Sequence, residues 1–121
     1  MHWATVSILL AAIAVVYLLQ RSGQISPKKA RTYLENGALV IDVRTAAEYN
    51  SGHLPNAIHL PVQEIEVALP RRVQDKNKPL LLYCQSGMRS GMAKKKLQGL
   101  GYVHAYNLGS YGRAARTLGG G

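Results

Sequence analysis

The sequence predicts an α/β domain, a parallel sheet with helices on both faces, preceded by one N-terminal transmembrane helix. Three observations carry that expectation. Residues 3–20, WATVSILLAAIAVVYLLQ, hold no charge, whereas all fifteen Lys and Arg and all six Asp and Glu come later. Two short apolar runs, ALVIDV at 38–43 and LLLYC at 80–84, have the character of strands covered on both faces. Segments with helix-cap residues separate such runs, and strands alternating with helices build parallel sheets.

Taken in order, the apolar run would make a helix roughly 27 Å long, close to the roughly 30 Å hydrocarbon core of a bilayer. A cleaved signal fits less well, because no Lys or Arg precedes the run and no Ala-x-Ala follows it. Arg21, Lys28, Lys29 and Arg31 crowd its C-terminal flank. By the positive-inside rule they place the domain on the cytoplasmic side of the inner membrane, with the periplasmic side as the alternative. The expected organisation is a transmembrane helix at 3–20, a linker at 21–25, a domain at 26–118 and a disordered tail at 119–121.

In SPKKARTYLENG, Ser26 suits a helix N-cap, Pro27 the first helical position and Gly37 the left-handed residue past the end. ALVIDV follows as the first strand. TAAEYNSGHLPNAIHLP predicts a helical turn at 46–50, breaks at Gly52 and Pro55, and a brief strand at 57–60. A helix spans VQEIEVALPRRV, with Pro70 ending or bending it. After the polar turn QDKNKP comes the strand LLLYC, a loop running into a helix over SGMRSGMAKKKLQGLG with Gly99 or Gly101 past its end, and a last strand YVHAYNL.

The formal net charge of +9 invites a nucleic-acid reading, but no helix-turn-helix, zinc-finger or aromatic-interleaved basic pattern accompanies it. Basic residues beside a membrane helix meet anionic lipid heads instead. With one cysteine there is no internal disulfide, and the fold rests on its core.

That cysteine, Cys84, stands where its strand runs out. Ligands of open parallel sheets bind outside the carboxyl ends of the strands, against the N-terminus of the next helix. Residues 85–90 must wrap around this point, and Gly87 and Gly91 let the backbone turn its N–H groups inward. A thiol titrates near pH 8.5 in water, and a helix N-terminus or a neighbouring cation lowers that value. Arg89 adds a fixed positive charge and a forked donor suited to an oxyanion. The expected species is a thiolate nucleophile.

IDVR, EYNSGHLPNAIHLP and YCQSGMRS, in this order and spacing, resemble a single-domain rhodanese, and the resemblance covers roughly residues 26–112. It looks closest to the small bacterial phage-shock type. Cysteine phosphatases set the arginine six positions after the cysteine, whereas here Arg89 is five after Cys84 and Ser90 is sixth. The tighter loop suits one extra sulfur atom rather than a tetrahedral oxyanion.

The resemblance implies a rhodanese-like fold and a sulfurtransferase: Cys84 takes the outer sulfur of thiosulfate or a persulfide donor, and cyanide or a thiol removes it. Gln85, Ser86, Gly87, Met88, Arg89 and Ser90 would hold the persulfide and its donor, and Asp42 and Arg44, matching the family's Asp-x-Arg, would support the loop. Glu48 and His53 match an E…GH element read as structural. No cofactor or metal is implied. Asn56 stands where the family usually has Gly, and NLGSYGRAART has Ser110 and no tryptophan where a GG…W ending is common. Both departures bear on the C-terminal packing and the rim of the pocket.

Other residues have plainer readings. His53, His59 and His104 lack a compact ligand spacing. Lys94, Lys95 and Lys96 read as a solvated helix face, and Met88 and Met92 as residues shaping the loop and core. The alternative function is a membrane-anchored interaction module whose sulfur chemistry is incidental. The short linker keeps the loop near the bilayer, so the expected acceptor is a membrane-associated protein.

Overall fold

The computed structural model describes residues 2–119, and for 19–22 the backbone alone. In chain order the elements are α1 (His2–Ser22), α2 (Pro27–Glu35), β1 (Leu39–Asp42), α3 (Ala46–Ser51), β2 (Ile58–His59), α4 (Ile65–Arg72), β3 (Leu80–Cys84), α5 (Met88–Gly99), β4 (Ala105–Ser110) and α6 (Tyr111–Gly119). The four strands form one sheet in the order β2-β1-β3-β4, every pairing parallel. β3 is central and all five of its residues are buried, which is why its sequence is continuously apolar rather than alternating.

Successive residues of each strand point to opposite faces, and two cores result. Ile41, Leu80, Leu82 and Cys84 pack with Ile65 and Leu69 of α4 and Ala93 and Leu97 of α5. Val40, Leu81, Tyr83 and Leu108 pack on the other face with Ala30 of α2 and Ala114 of α6. Helices therefore cover both faces, as the alternation of elements predicts. α2 is capped as expected, with the Ser26 hydroxyl accepting from the Lys29 N–H at 3.3 Å and Pro27 leading the helix.

Several boundaries differ from the sequence expectation. α4 begins at Ile65 rather than at Val62, and Pro70 lies inside it. Pro70 removes only the donor to the exposed turn at Glu66, and the helix still closes through Val73 N–H to Leu69 O at 2.8 Å. β4 runs 105–110 instead of 102–108, because Tyr102 leaves the strand line to bury its ring, its hydroxyl donating to Val73 O. α6 has no counterpart in the sequence reading. Ser110 caps it by accepting from the Arg113 N–H at 3.1 Å, and Ala114 and Thr117 are buried on its inner face. Gly119 closes α6, and the other two residues of the expected disordered tail, 120 and 121, lie outside the described residues.

Among the described residues no helix is long and apolar enough to cross a membrane. The expected transmembrane helix at 3–20 falls on α1 (His2–Ser22), which over its described residues does not meet that description. Trp3, Ile8, Leu10 and Ile13 of α1 are each more than 60% exposed, and among the described residues neither core cluster includes a residue of α1.

Candidate active site

Cys84 ends β3 opposite Ser110 of β4, and only residues 85–87 separate it from α5. The turn depends on Gly87, whose φ of +95° lies in the left-handed region. A Cβ there would also approach the Gln24 amide nitrogen to 3.0 Å and Gly109 Cα to 3.3 Å, so backbone geometry and close packing both require glycine. The turn directs the Gly87 N–H at the Cys84 sulfur, 3.0 Å away. Ser90, fully buried one turn into α5, brings its hydroxyl to 3.4 Å from the same sulfur.

Burial pushes the Cys84 thiol up. Hydrogen bonds from the Ser90 hydroxyl and from the N–H groups of Ser90, Gly87 and Ser86 outweigh it, and the thiol titrates below its ordinary value. The positive end of α5 points the same way. The loop is a cradle of donors closed around a sulfur anion.

Two arginines flank the cradle. Arg44 lies past the end of β1, 3% exposed, with its Nε and Nη2 on the Asp42 carboxylate at 2.7–3.0 Å. Its Nη1 donates to the Gln85 side-chain oxygen at 3.2 Å and its Nη2 to Gly52 O at 2.6 Å. Its guanidinium also stands 4.6 Å from the Tyr111 ring centroid. Asp42 in turn accepts from the Tyr83 hydroxyl at 2.8 Å, and that hydroxyl accepts from the Leu54 N–H at 3.0 Å. Burial pushes the Tyr83 phenol up, and the Asp42 hydrogen bond holds the Arg44 guanidinium protonated. Asp42 and Arg44 thus reach the loop through Gln85.

Arg89 is already engaged: Nη1 and Nη2 grip the two oxygens of Glu48 at 2.7 and 2.9 Å, and its guanidinium also interacts with the Cys84 sulfur. Glu48 also closes a capping box with Thr45 at the head of α3. The Arg89 guanidinium, helped by the Thr45 N–H, lowers the Glu48 carboxyl to about 2. Glu48, read from sequence as structural, is therefore the partner of a loop arginine. The T-x-x-E pattern at 45–48 was its available signal.

Gln85 and Ser86 are exposed, with Ser86 bridged to Ser110. Met88 and Met92 are 57% and 54% exposed rather than part of the core, because they lie on the outer side of α5. With Gly87, Gly91, Lys94 and Lys95 they line a groove of about 370 Å³ beside the loop. Lys94 donates to Gly23 O at 3.2 Å, and Lys96 lies 3.6 Å from Glu66. His53 and His59 stack on Tyr49 and bond to the backbone at Tyr49 O and Arg44 O. Among the described residues no group of three or more His, Cys, Asp or Glu is placed to hold a metal ion.

The departures from the family motif have local explanations. Asn56 has φ of +65°, a left-handed position that asparagine tolerates better than other non-glycine residues. Ser110 is the cap of α6. Sequence reasoning missed Asn107, a 4% exposed polar residue in β4 whose side chain meets the loop. An asparagine inside the otherwise apolar AYNL run was its only signal.

Residues 26–112 match the family model described as Rhodanese-like domain. The chain is 39% identical over 69 residues to the thiosulfate sulfurtransferase PspE of Escherichia coli, covering 57% of this chain and 66% of that protein. It is 33% identical over 85 residues to the thiosulfate sulfurtransferase GlpE of Pseudomonas savastanoi, covering 70% of this chain and 78% of that one. Among solved structures it is similar to the human single-domain sulfurtransferase TSTD1, with a TM-score of 0.67 and 30% identity over 78% of this chain and 96% of that one.

Proposed function

Because the chain belongs to the rhodanese-like family, we propose that it is a sulfurtransferase that carries sulfane sulfur on Cys84. It is a thiosulfate sulfurtransferase-like enzyme, similar over most of its domain to relatives that bear that name. The observation that carries the reading is the Cys84 sulfur, set under the Gly87 N–H and the Ser90 hydroxyl at the head of α5.

In the first step the Cys84 thiolate attacks the outer sulfur of thiosulfate. An S–S bond forms to Cys84, the S–S bond of the donor breaks, and its electron pair leaves with sulfite. The product is a Cys84 persulfide anion, which the donors of Ser86, Gly87 and Ser90 suit as they suit the thiolate. In the second step a cyanide or thiolate acceptor attacks the terminal sulfur and returns the electron pair to Cys84, a ping-pong cycle with a covalent intermediate. Cys84 is the chain's only cysteine, so the acceptor comes from another molecule. The cycle as written needs no metal or cofactor. Cys84 itself has no exposed surface, so the donor approaches past the exposed rim at Gln85, Ser86 and Met88.

The same proposal holds the enzyme at the inner membrane through α1, with the domain on the cytoplasmic side and a membrane-associated acceptor. Its support is the exposed apolar surface of α1, which joins neither core and is the kind of patch that meets lipid or another protein, and the basic flank from Arg21 to Arg31. Sedimentation of the expressed chain with membranes after a carbonate wash is the expected result, and release into the supernatant would remove this part alone.

The catalytic reading is tested by the intact mass of the full chain in detergent after thiosulfate treatment. We expect a gain of one sulfur, about 32 Da, lost on adding cyanide and absent in Cys84→Ser, as covalent catalysis requires. No adduct with thiosulfate or with a persulfide donor would replace this reading with the interaction module.

A further inference from the structure

Asn107 sits at a break in the β3–β4 ladder. Leu82 pairs with Asn107, but the next residue, Tyr83, pairs with Gly109, so β4 carries one extra residue and Gly109 takes φ of +94°. The bulge turns the Asn107 side chain toward the loop. Its Nδ2 donates to Gly87 O at 3.0 Å, while its Oδ1 accepts from the Gly109 N–H at 2.8 Å and from the Ser90 hydroxyl at 2.7 Å. Two donors on one atom and a carbonyl on the other fix which way the amide points.

Ser90 has one hydroxyl proton and two acceptors within reach, Asn107 Oδ1 at 2.7 Å and Cys84 Sγ at 3.4 Å. A hydroxyl donates once. With a neutral thiol, Ser90 donates to Asn107 and its lone pair is open to the S–H. With a thiolate or persulfide anion, the proton rotates onto sulfur, and Asn107 Oδ1 keeps the Gly109 N–H. Both arrangements leave every group satisfied, and a single rotation about the Ser90 Cβ–Oγ bond interconverts them.

We propose that Asn107 is a positioning residue of the cysteine loop, anchoring it through Gly87 and competing with the Cys84 sulfur for the single Ser90 proton. Asn107 acts through Ser90 and Gly87 and does not itself contact the sulfur. The inference rests on the sulfurtransferase reading for its purpose, but its test reads the thiol and not sulfur transfer, so either can fail alone.

The charged and titratable groups around Cys84 are Arg89 of α5 with Glu48 of α3, Asp42 and Arg44 at the end of β1, Tyr83 of its own strand and Tyr111 of α6. None is altered by substitution at 107. The pH midpoint of Cys84 alkylation is measured on the full chain in detergent for the native protein, Asn107→Leu, Ser90→Ala and the double variant. Asn107→Leu removes the side-chain oxygen that competes with sulfur for the Ser90 proton, favouring the thiolate. Loss of the Gly87 bond acts in both backgrounds and cancels in the comparison. We expect the shift caused by Asn107→Leu to be lower by on the order of half a pH unit with Ser90 present than in Ser90→Ala. Equal shifts in the two backgrounds would overturn the proposal.

A second measurement needs no change at 107, in case the leucine variant does not fold. The Asn107 side-chain amide resonance should follow the Cys84 titration in the native protein and lose that response in Ser90→Ala. An amide indifferent to Cys84 in the native protein would equally overturn the proposal.

Discussion

The two arginine–carboxylate pairs beside the cysteine loop have the same chemistry and opposite settings. Arg44 and Asp42 are two residues apart in sequence and their side chains are 4% and 0% exposed. Arg89 and Glu48 are 41 residues apart and each side chain is 30% exposed. The buried pair sits inside a network in which Tyr83, Leu54, Gly52 and Gln85 satisfy further hydrogen bonds. The other pair is partly exposed, joined to the α3 cap through Glu48 and to the Cys84 sulfur through Arg89. A buried charge that loses its partner has no water to turn to, whereas a half-exposed one is rehydrated. The first pair therefore belongs to the fold, and the second can be altered without unfolding the domain.

The largest effect expected from that contrast is at Asp42. Asp42→Ala leaves the Arg44 guanidinium buried and uncompensated, a loss of about 3–5 kcal/mol. Denaturant unfolding should show it as a shifted midpoint with unchanged slope. A loss under about 1 kcal/mol would place this pair in the same class as the exposed one.

Arg89→Ala is next. Stability should fall by less than about 1 kcal/mol. Persulfide formation should slow by roughly tenfold, since the thiolate and the donor's developing charge lose a neighbouring cation, a difference of about 1.4 kcal/mol in the barrier. Stopped-flow release of sulfite reads the rate, and an unaltered rate would reduce Arg89 to a surface residue.

The smallest effect is the acid dependence of the exposed pair. The Glu48 carboxyl is held below its ordinary value of 4.5, at about 2, by Arg89. A depressed carboxyl contributes stability that is fully present above 4.5 and is lost as pH falls toward 2. Thermal midpoints of the native protein should decline over that window by more than those of Glu48→Gln. Parallel curves for the two proteins would show that the pair does not form in solution.

How much of this was legible beforehand depended on distance along the chain. Cys84, its strand and the tight loop to Arg89 and Ser90 could be read directly, because strand end, glycine turn and helix start are consecutive. Asp42 and Arg44 were marked only by the family's Asp-x-Arg as supports of the loop, and their mutual ion pair emerged from the structure. Arg89 appeared free because its partner lies 41 residues upstream, and no periodicity links a loop arginine to a helix-capping glutamate. α6 was missed because its two glycines weaken the local helical signal, and its buried Ala114 and Thr117 acquire meaning only against the sheet.

The sequence by itself determined which residue is the nucleophile candidate and which strand carries it, since those follow from spacing along one segment. Only the tertiary structure decided that Glu48 occupies the Arg89 fork and that Asn107 shares the Ser90 proton. Both depend on the strand order β2-β1-β3-β4, which sets β1 and β4 on either side of β3 and brings residues distant in sequence within hydrogen-bonding range of the loop.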